Sequence, residues 1–317
     1  MNTPPRIIFT SARIFSRTLL CACLLSLAAP CVWAKAGFKK VYLWRDVPRM
    51  EPQVRDTILY YPKDAANNAG GSRMAVVICP GGSYHHLGMS HEGFATARWF
   101  SSVGAVPFVL QYRVAYNEHH HPAMLEDIQM AVHYVRANAE LFGVDKTRVG
   151  AIGFSAGGHL VTMAAEFDTD ELSKLGIAVT ERLRPDFVMP IYPVVSMQDD
   201  IAHSWSRKSL LGHRWGEGGF NPVGHNYAQA DKDEFSMELN VPPDMPPVFL
   251  LACRDDPVVM FENSVRLDAA LSAQSVPHVF KAYDTGGHGF GMKDGDFMER
   301  TRWNEELRVW LEECGFL

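Results

Sequence analysis

The sequence predicts an α/β protein with a mostly parallel central sheet that is covered by helices on both faces. Short β-rich runs alternate along the chain with segments whose apolar residues recur at helical spacing. Several of the β-rich runs are apolar throughout, which is typical of parallel strands with both faces buried. A length of 317 residues suits one large domain or two small ones. We expect one domain. The chain shows neither an internal repeat nor a low-complexity tract.

The strands and helices are placed from the same two patterns. The predicted strands are Val41–Trp44, Thr57–Tyr61, Met74–Cys79, Val106–Tyr112, Arg148–Gly153, Phe187–Tyr192, Val248–Cys253 and His278–Tyr283. The predicted helices are Glu92–Ser102, Pro122–Leu141, Ala156–Ala165, Glu262–Ala273 and Trp303–Glu313. In the second helix, Met124, Ile128 and Val132 share the apolar face.

Residues 1–34 are interpreted as a secretory signal peptide that is cleaved from the domain. They contain three arginines and no acidic residue, and they end in the apolar run Leu19–Ala34. Val32 and Ala34 fit the pattern of small residues before a signal-peptidase cut, with Ala36 as a second choice. The apolar run is shorter than the roughly 20 residues that a membrane-spanning helix needs. We therefore expect a periplasmic or secreted domain, residues 35–317, with no membrane association after cleavage.

Composition argues against two further classes of protein. Loss of the three arginines changes the formal net charge from −6 to about −9. An acidic chain has no electrostatic reason to bind nucleic acid or an anionic membrane. Three cysteines remain after cleavage, Cys79, Cys253 and Cys314, too few for a disulfide framework. Because the first two lie in apolar strands, we interpret them as small buried hydrophobic residues.

A long segment between two predicted strands, residues 196–247, has no clear periodicity. It contains Trp205 and Trp215 together with many glycines, prolines and aspartates. Long loops without regular structure are uncommon unless they have a function. We interpret the segment as a cap over the carboxyl ends of the strands, where open α/β sheets bind ligands. The alternative is surface decoration.

Ser155 lies among glycines at the point where a predicted strand becomes a predicted helix. The sequence Gly153-Phe154-Ser155-Ala156-Gly157 matches G-x-S-x-G, the pattern of a nucleophile elbow. Small flanking residues allow a sharp turn, and the N-terminal amides of the helix favour developing negative charge. An ordinary glycine-rich turn is the alternative, because short glycine–serine patterns also occur by chance. The flanking strand and helix favour a nucleophile at Ser155.

A serine nucleophile needs a base, and the base needs an acid that orients it. His288 lies in the glycine-rich loop Gly286–Gly291 after the last predicted strand, where the chain is free to aim the ring. The acid is expected after the preceding strand, where Asp255 and Asp256 are adjacent. We choose Asp256, because Pro257 stiffens the turn directly after it. Asp255 is then interpreted as a hydrogen-bonding turn residue.

Glycines also follow the predicted strand that ends at Cys79, in the segment Pro80-Gly81-Gly82-Ser83-Tyr84. Backbone N–H groups in such a loop can converge on a carbonyl oxygen that becomes an anion. We predict an oxyanion hole formed by the amides of Gly82, Ser83 and Ala156. Tyr84 is a candidate substrate contact. A plain strand-end turn is the alternative, but four compatible elements in this chain order favour a catalytic site.

Clusters of histidine and aspartate elsewhere invite a metal interpretation, which we do not adopt. Glu118-His119-His120-His121 are adjacent on one loop, and Asp199 and Asp200 precede His203. Neighbouring side chains on one loop rarely converge with the geometry that zinc requires. The sequence also contains neither a P-loop nor a dinucleotide fingerprint. We expect no metal and no cofactor.

Together these motifs resemble the α/β-hydrolase superfamily, and within it the bacterial esterase/lipase group that contains acetyl xylan esterases. The resemblance covers most of the chain from Tyr42 to Leu317. The stretches that carry it are PGGSYHHL (Pro80–Leu87), VLQYRV (Val109–Val114), His121–Leu160, MPIYPVVSM (Met189–Met197), SLLG (Ser209–Gly212), Asp255–Leu271 and Gly286–Gly291. The chain departs from the group's pattern at Ser83, where a third glycine is usual, and at Met260, where a proline is usual.

The resemblance implies a serine esterase that removes acetyl groups from xylan or xylo-oligosaccharides, and it supports Ser155, Asp256 and His288 as the triad. The expected partner is therefore an acetylated carbohydrate or another small ester. Two alternatives stay open. One is a different serine hydrolase, such as a broad small-ester esterase or a peptidase-like enzyme. The other is a binding protein with the same fold and no catalysis.

Overall fold

The computed structural model describes residues 37–48, 50, 55–65, 71–212 and 227–317. The strands are β1 (Phe38–Tyr42), β2 (Ile58–Pro62), β3 (Arg73–Cys79), β4 (Val106–Gln111), β5 (Val144–Phe154), β6 (Val188–Ile191), β7 (Val248–Cys253) and β8 (His278–Tyr283). The predicted signal segment lies outside these residues, as does part of the predicted cap.

The α-helices of the described residues follow the strands in alternation. They are α1 (Ala95–Ser102), α2 (Ala123–Ala137), α3 (Ala139–Phe142), α4 (Ala156–Glu166), α5 (Glu171–Lys174), α6 (Ser204–Leu211), α7 (Gln229–Glu234), α8 (Glu262–Ala273), α9 (Asp296–Thr301) and α10 (Trp303–Glu313). A π-helical turn, Met89–Phe94, precedes α1, and short 3₁₀ turns lie at Ala115–Asn117 and Met237–Leu239. None of the helices in the described ranges is long and apolar enough to span a membrane.

The strands form one sheet in the order β1-β2-β4-β3-β5-β6-β7-β8. The pairs β1–β2 and β2–β4 are antiparallel, and the other five pairs are parallel. α1 packs against β4, α4 against β5 and β6, and α8 against β7 and β8. The predicted α/β fold with a mostly parallel sheet is confirmed. Because the central strands are parallel, the loops after β3, β5, β7 and β8 leave the same edge of the sheet.

Strands β3 and β7 and the helix after β5 are buried along almost their whole length. β7 is buried at every position, and β3 at all but its first residue. α4 is buried along its whole length, so its apolar residues pack against the sheet and against α2. The cysteines of β3 and β7, Cys79 and Cys253, are buried and unpaired, and burial raises the pKa of the Cys253 thiol to about 12.

A predicted long helix is divided in two by Asn138. The segment Pro122–Leu141 forms α2 and α3, and the Asn138 side-chain amide donates to the carbonyl of Tyr134 at 2.8 Å. Gly143, with φ of 58°, then ends α3 in the left-handed region. The interruption follows from local hydrogen bonding by Asn138, which competes with the helical ladder.

A buried polar cluster fixes the start of the sheet to α2. Asp127 accepts hydrogen bonds from the Arg113 backbone N–H at 2.7 Å and side-chain Nε at 2.9 Å, and from Trp44 Nε1 at 2.7 Å. Asp127 and Arg113 are fully or almost fully buried. A buried charge of this kind needs a paired partner with satisfied hydrogen bonds. These contacts give Asp127 and Arg113 a structural role.

The described parts of segment 196–247 are more regular than the sequence suggested, since they contain α6 and α7. α6 is fixed to the body of the protein at several points. His120 on the loop after β4 makes a 2.7 Å hydrogen bond with the Ser209 carbonyl, and Arg207 donates to the Met197 carbonyl at 2.8 Å. These long-range contacts, together with N-capping by the His203 side chain, stabilise a helix whose periodicity is weak.

Candidate active site

The turn from β5 into α4 holds Ser155 in a conformation that an ordinary side chain seldom adopts. Ser155 has φ of 54° and ψ of −120°, and its N–H donates to the Ile191 carbonyl at 3.0 Å. The flanking glycines are required by close backbone approaches. A Cβ on Gly153 would lie 2.0 Å from the Gly157 carbonyl oxygen, and one on Gly157 would lie 2.1 Å from the Cys79 carbonyl oxygen. The surrounding backbone therefore holds Ser155 in this strained conformation.

The structure brings Ser155, His288 and Asp256 into one hydrogen-bonded series. Ser155 Oγ lies 2.9 Å from His288 Nε2, and His288 Nδ1 lies 2.6 Å from Asp256 Oδ2. The Asp256 side chain is 2% exposed and that of His288 is 12% exposed. The carboxylate therefore faces the imidazole with little competition from water. It also favours the tautomer with the proton on Nδ1, which leaves Nε2 free to accept the Ser155 proton.

The two adjacent aspartates have different partners. Asp256 Oδ1 accepts the backbone N–H groups of Val258 and Val259 at 2.8 and 2.9 Å, which holds its other oxygen toward His288. Asp255 Oδ1 accepts the N–H groups of Gly286 and Gly287 at 2.9 and 2.8 Å. Asp255 therefore fixes the loop that carries His288, in agreement with its interpretation as a turn residue.

The loop after β3 lies directly against Ser155. A Cβ on Gly81 would approach the Ser155 Cβ to 2.9 Å. Gly82 and Ser83 have φ of 132° and 58°, so the backbone turns back on itself beside the serine. Within the described residues, the N–H groups of Gly82, Ser83 and Ala156 have no hydrogen-bond partner. Such free amides at a helix N-terminus and a tight turn can donate hydrogen bonds to an oxyanion.

Tyr84 does not lie where the sequence placed it. Its side chain is fully buried, and its hydroxyl is 2.8 Å from His159 Nδ1. The prediction that Tyr84 contacts substrate is therefore wrong, because the ring points into the core under the loop. His159 Nε2 bonds the Phe235 carbonyl at 2.8 Å. Since a carbonyl only accepts, Nε2 carries the proton and Nδ1 accepts from Tyr84.

His159 should make the stability of the protein sensitive to mild acid. Burial lowers the pKa of His159 from 6.5 to about 4. Between these values the unfolded chain binds a proton that the native state does not, so the free energy of unfolding falls as pH decreases, by at most about 1.4 kcal/mol per pH unit. We expect His159→Gln to flatten this dependence. Urea unfolding across the same pH window measures it, and an unchanged slope would show that other groups cause any acid sensitivity.

Sequence reasoning missed Glu92 and Tyr192, which join the two loops around the site. Glu92 is 4% exposed; its Oε2 accepts the Gly81 N–H at 2.8 Å, and its Oε1 accepts the Tyr192 hydroxyl at 2.9 Å. The Tyr192 hydroxyl in turn accepts the N–H of Gly291, in the loop of His288, at 3.0 Å. Burial, and then the Glu92 carboxylate, raise the pKa of Tyr192 well above its usual value, so the phenol remains a donor.

Tyr192 also lies against the histidine itself. The centres of the Tyr192 and His288 rings are 4.7 Å apart. Glu92 and Tyr192 together therefore set the spacing between the loop after β3 and the loop of His288. The sequence gives no local signal of the hydrogen bond between Glu92 and Tyr192, because 100 residues separate them. Glu92 was predicted at the start of a helix and Tyr192 at the end of a strand.

Tyr192→Phe is expected to lower kcat by about tenfold with little change in KM, because it frees the His288 loop without removing a reacting group. It also leaves two buried polar groups unpaired, which should cost about 1–3 kcal/mol in the free energy of unfolding. Tyr112→Phe is the matched control: Tyr112 is equally buried, and its hydroxyl donates to the Pro80 carbonyl at 2.6 Å. Equal losses of kcat in the two variants would contradict a specific role for Tyr192.

The histidine and aspartate clusters for which we do not adopt a metal interpretation have protein partners. His119 Nε2 lies 3.1 Å from an Asp56 carboxylate oxygen, and Asp199 accepts Arg207 and Lys232, each at 2.7 Å. Among the residues that the structure describes, no group of three or more His, Cys, Asp or Glu side chains has an arrangement that could hold a metal ion.

Comparison with known proteins places this geometry in a family. The BD-FAE family model matches residues 59–271. The acetylxylan esterase of Xylanibacter ruminicola is 29% identical over 244 residues, which is 76% of this chain and 46% of that protein. Endo-1,4-beta-xylanase B of Butyrivibrio fibrisolvens is 31% identical over 73% of this chain and 34% of its own length. The chain therefore spans less than half the length of these curated relatives.

Solved structures give the same fold. The acetyl ester-xyloside bifunctional hydrolase from Caldicellulosiruptor lactoaceticus is 29% identical, with a TM-score of 0.74 over 88% of this chain and 97% of that one. The esterase Est2 of Thermogutta terrifontis, at 21% identity, has a TM-score of 0.69 over 89% of this chain and 94% of its own. The chain belongs to the BD-FAE family within the α/β-hydrolase superfamily and resembles acetyl xylan esterases.

Proposed function

We propose that this protein is a serine carboxylic ester hydrolase that removes acetyl groups from carbohydrates such as xylan or xylo-oligosaccharides. The observation that carries the chemistry is the series from Ser155 Oγ through His288 to Asp256, with gaps of 2.9 and 2.6 Å. Among the described residues, the nearby amides of Gly82, Ser83 and Ala156 have no hydrogen-bond partner. Together these groups support a nucleophile, a base, an orienting acid and an anion site in one place.

The proposed reaction is acyl transfer in two steps. His288 Nε2 takes the proton of Ser155 Oγ as the oxygen attacks the ester carbonyl, and the oxyanion accepts hydrogen bonds from Gly82, Ser83 and Ala156. The same nitrogen then gives its proton to the departing sugar oxygen. Water, activated by His288, attacks the acyl-enzyme and releases acetate. Asp256 stays ionised and stabilises the imidazolium formed in each step.

The acetyl–carbohydrate substrate is supported by the names of two relatives, an acetylxylan esterase and an acetyl ester-xyloside hydrolase. A broad small-ester esterase is the second candidate, because esterases such as Est2 share the fold. A peptidase-like hydrolase and a non-catalytic binding protein remain as alternatives to be excluded by assay.

The test is the release of acetate from a panel of acetylated polysaccharides, compared with hydrolysis of a longer-chain ester and a peptide amide. Acetate release from acetylated xylan with little hydrolysis of the other two substrates is the expected result. Equal rates on acetyl and longer acyl esters would favour the broad esterase. Lack of hydrolysis of every ester would favour the binding protein.

We further propose that residues 1–34 direct export and that residues 35–317 form the mature catalytic domain, with segment 196–247 as its cap. The arginine-containing, acid-free N-terminus and its apolar run support this proposal. N-terminal sequencing of the protein recovered from outside the cytoplasm should begin at Lys35. An uncleaved Met1 would contradict it.

A further inference from the structure

Four aromatic rings lie together at the surface beside the loop after β3. Trp205 is 46% exposed and Tyr116 is 74% exposed, although large rings usually bury more of their surface. The His85 ring centre lies 5.2 Å from that of Trp205 and 5.6 Å from that of Tyr116, and His86 lies 5.7 Å from Trp205. These four residues are called the aromatic platform below.

The aromatic platform is continuous with the candidate oxyanion loop. The N–H groups of His85 and His86 both donate to the Gly82 carbonyl, at 2.9 and 3.0 Å. The rings therefore begin one tight turn from Gly82, whose amide we assign to the oxyanion hole. Trp205 comes from α6, which begins directly after His203.

The platform is held in place by hydrogen bonds that do not involve its rings. His120 Nδ1 and the Ser209 carbonyl are 2.7 Å apart, and the His121 N–H donates to the Leu210 carbonyl at 2.8 Å. These bonds join the loop after β4, which carries Tyr116, to α6, which carries Trp205. The relative position of the rings is therefore set by the fold before any ligand binds.

A cavity of about 260 Å³ opens beside these rings. Its lining combines the aromatic rings of His85 and Trp205 with the polar side chains of His120, Lys208 and Ser209. In the described part of the chain, the ring nitrogens of His85 make no hydrogen bond. The cavity thus offers an aromatic face together with hydrogen-bonding groups at its edge.

Contiguous exposed aromatic surface next to a reaction site indicates a ligand that stacks on it. A pyranose ring has a face of C–H groups and a rim of hydroxyls, which matches an aromatic face bordered by histidine, lysine and serine. A simple acyl chain would not use the polar rim. We propose that the aromatic platform binds a sugar ring of the substrate next to the one that carries the ester. The inference rests on the proposed esterase function and names the part of the site that recognises carbohydrate.

The test measures binding without turnover. Ser155→Ala protein is the parent and is titrated with partially acetylated xylotetraose in a calorimeter. The same titration is made with the double variant that carries both Ser155→Ala and Trp205→Ala. We expect Trp205→Ala to raise Kd by about tenfold, because a stacked ring contributes roughly that factor. Trp205→Phe, which keeps a smaller ring, should have an intermediate effect. Val309→Ala is the control: Val309 is 42% exposed on α10, outside the platform, and its Kd should match that of the parent.

A second measurement compares substrates in otherwise wild-type protein. In Trp205→Ala, the ratio of kcat/KM for acetylated xylotetraose to kcat/KM for ethyl acetate should fall by about tenfold, through KM. If Trp205→Ala changes neither Kd nor this ratio, the proposal that the platform binds a sugar ring is wrong. It is also wrong if the parent protein binds no oligosaccharide. A larger loss on a butyrate ester than on the sugar would assign the rings to the acyl chain instead and would also overturn it. Failure of the proposed function is a separate outcome: the wild-type protein would then release no acetate from acetylated xylan, or would hydrolyse longer acyl esters equally well, whatever Kd is measured for the Ser155→Ala protein.

Discussion

Ser155→Ala is expected to lower kcat for ester hydrolysis by about 10⁶-fold while the fold stays intact. The hydroxyl is the only atom group removed, and the backbone of the elbow is held by the Ser155 N–H bond to Ile191 and by the glycines on either side. The variant keeps substrate binding and the oxyanion-hole amides, which by themselves accelerate hydrolysis about 10³–10⁴-fold over the rate in water. Acetate release and circular dichroism of the purified variant measure the two parts of this expectation.

Ser83→Ala is the matched control for the nucleophile. The Ser83 side chain is nearly buried, and only its backbone N–H is assigned a part in the reaction. The variant keeps that N–H, so we expect its kcat to stay within about tenfold of the wild type, far from the loss expected at Ser155. Residual activity of Ser155→Ala above about one hundredth of the wild type would mean that another group attacks the ester, and would refute the mechanism.

Asp256→Asn is expected to lower kcat by about 10⁴-fold at neutral pH. The reason lies in the two backbone amides, of Val258 and Val259, that bond Asp256 Oδ1. The asparagine oxygen must stay with these donors, so its NH₂ group faces His288 Nδ1. That nitrogen then has to accept, which moves the proton to Nε2. The imidazole can no longer take the proton of Ser155, and initial rates should show the loss in kcat.

Asp255→Asn distinguishes this effect from a general disturbance of the turn. Asp255 accepts two amides through one oxygen, and asparagine offers the same acceptor there. We expect less than about a tenfold loss of kcat. A loss at Asp255 as large as the one at Asp256 would contradict the assignment of the acid.

The sequence was most informative where burial decides the structure locally. The bounds of β7, β8, α8 and α10 agree with the prediction residue by residue. In β7 a continuous apolar run reports full burial directly, and helical periodicity reports the buried faces of α8 and α10. The first strand was placed three residues late, since Val41–Trp44 was predicted and Phe38–Tyr42 is observed. Among the strands that the structure describes, β1 lies at the edge of the sheet and pairs only with β2, and just beyond it Trp44 bonds Thr57 and Asp127. These contacts involve residues distant in sequence, so the local sequence pattern does not report them.

The candidate catalytic residues could also be selected from the sequence, because each lies in the loop or turn directly after a predicted strand. A parallel sheet brings such loops to one edge, so Ser155, Asp256 and His288 could be grouped before any distance was known. Tyr84 shows where this reasoning fails. Its neighbours in sequence form the candidate oxyanion loop, but its own ring is buried in the core and its hydroxyl contacts His159.

What the sequence by itself determined is the order of strands and helices, the elbow and the residues expected to react. Only the tertiary structure decided how these parts are held, through contacts between residues far apart in the chain. Glu92 meets Tyr192 across 100 residues, and Trp205 meets His85 because α6 is bonded to the loop after β4. Hydrogen bonding and ring packing depend on distance in space, and that distance is set by the folded sheet rather than by spacing along the chain.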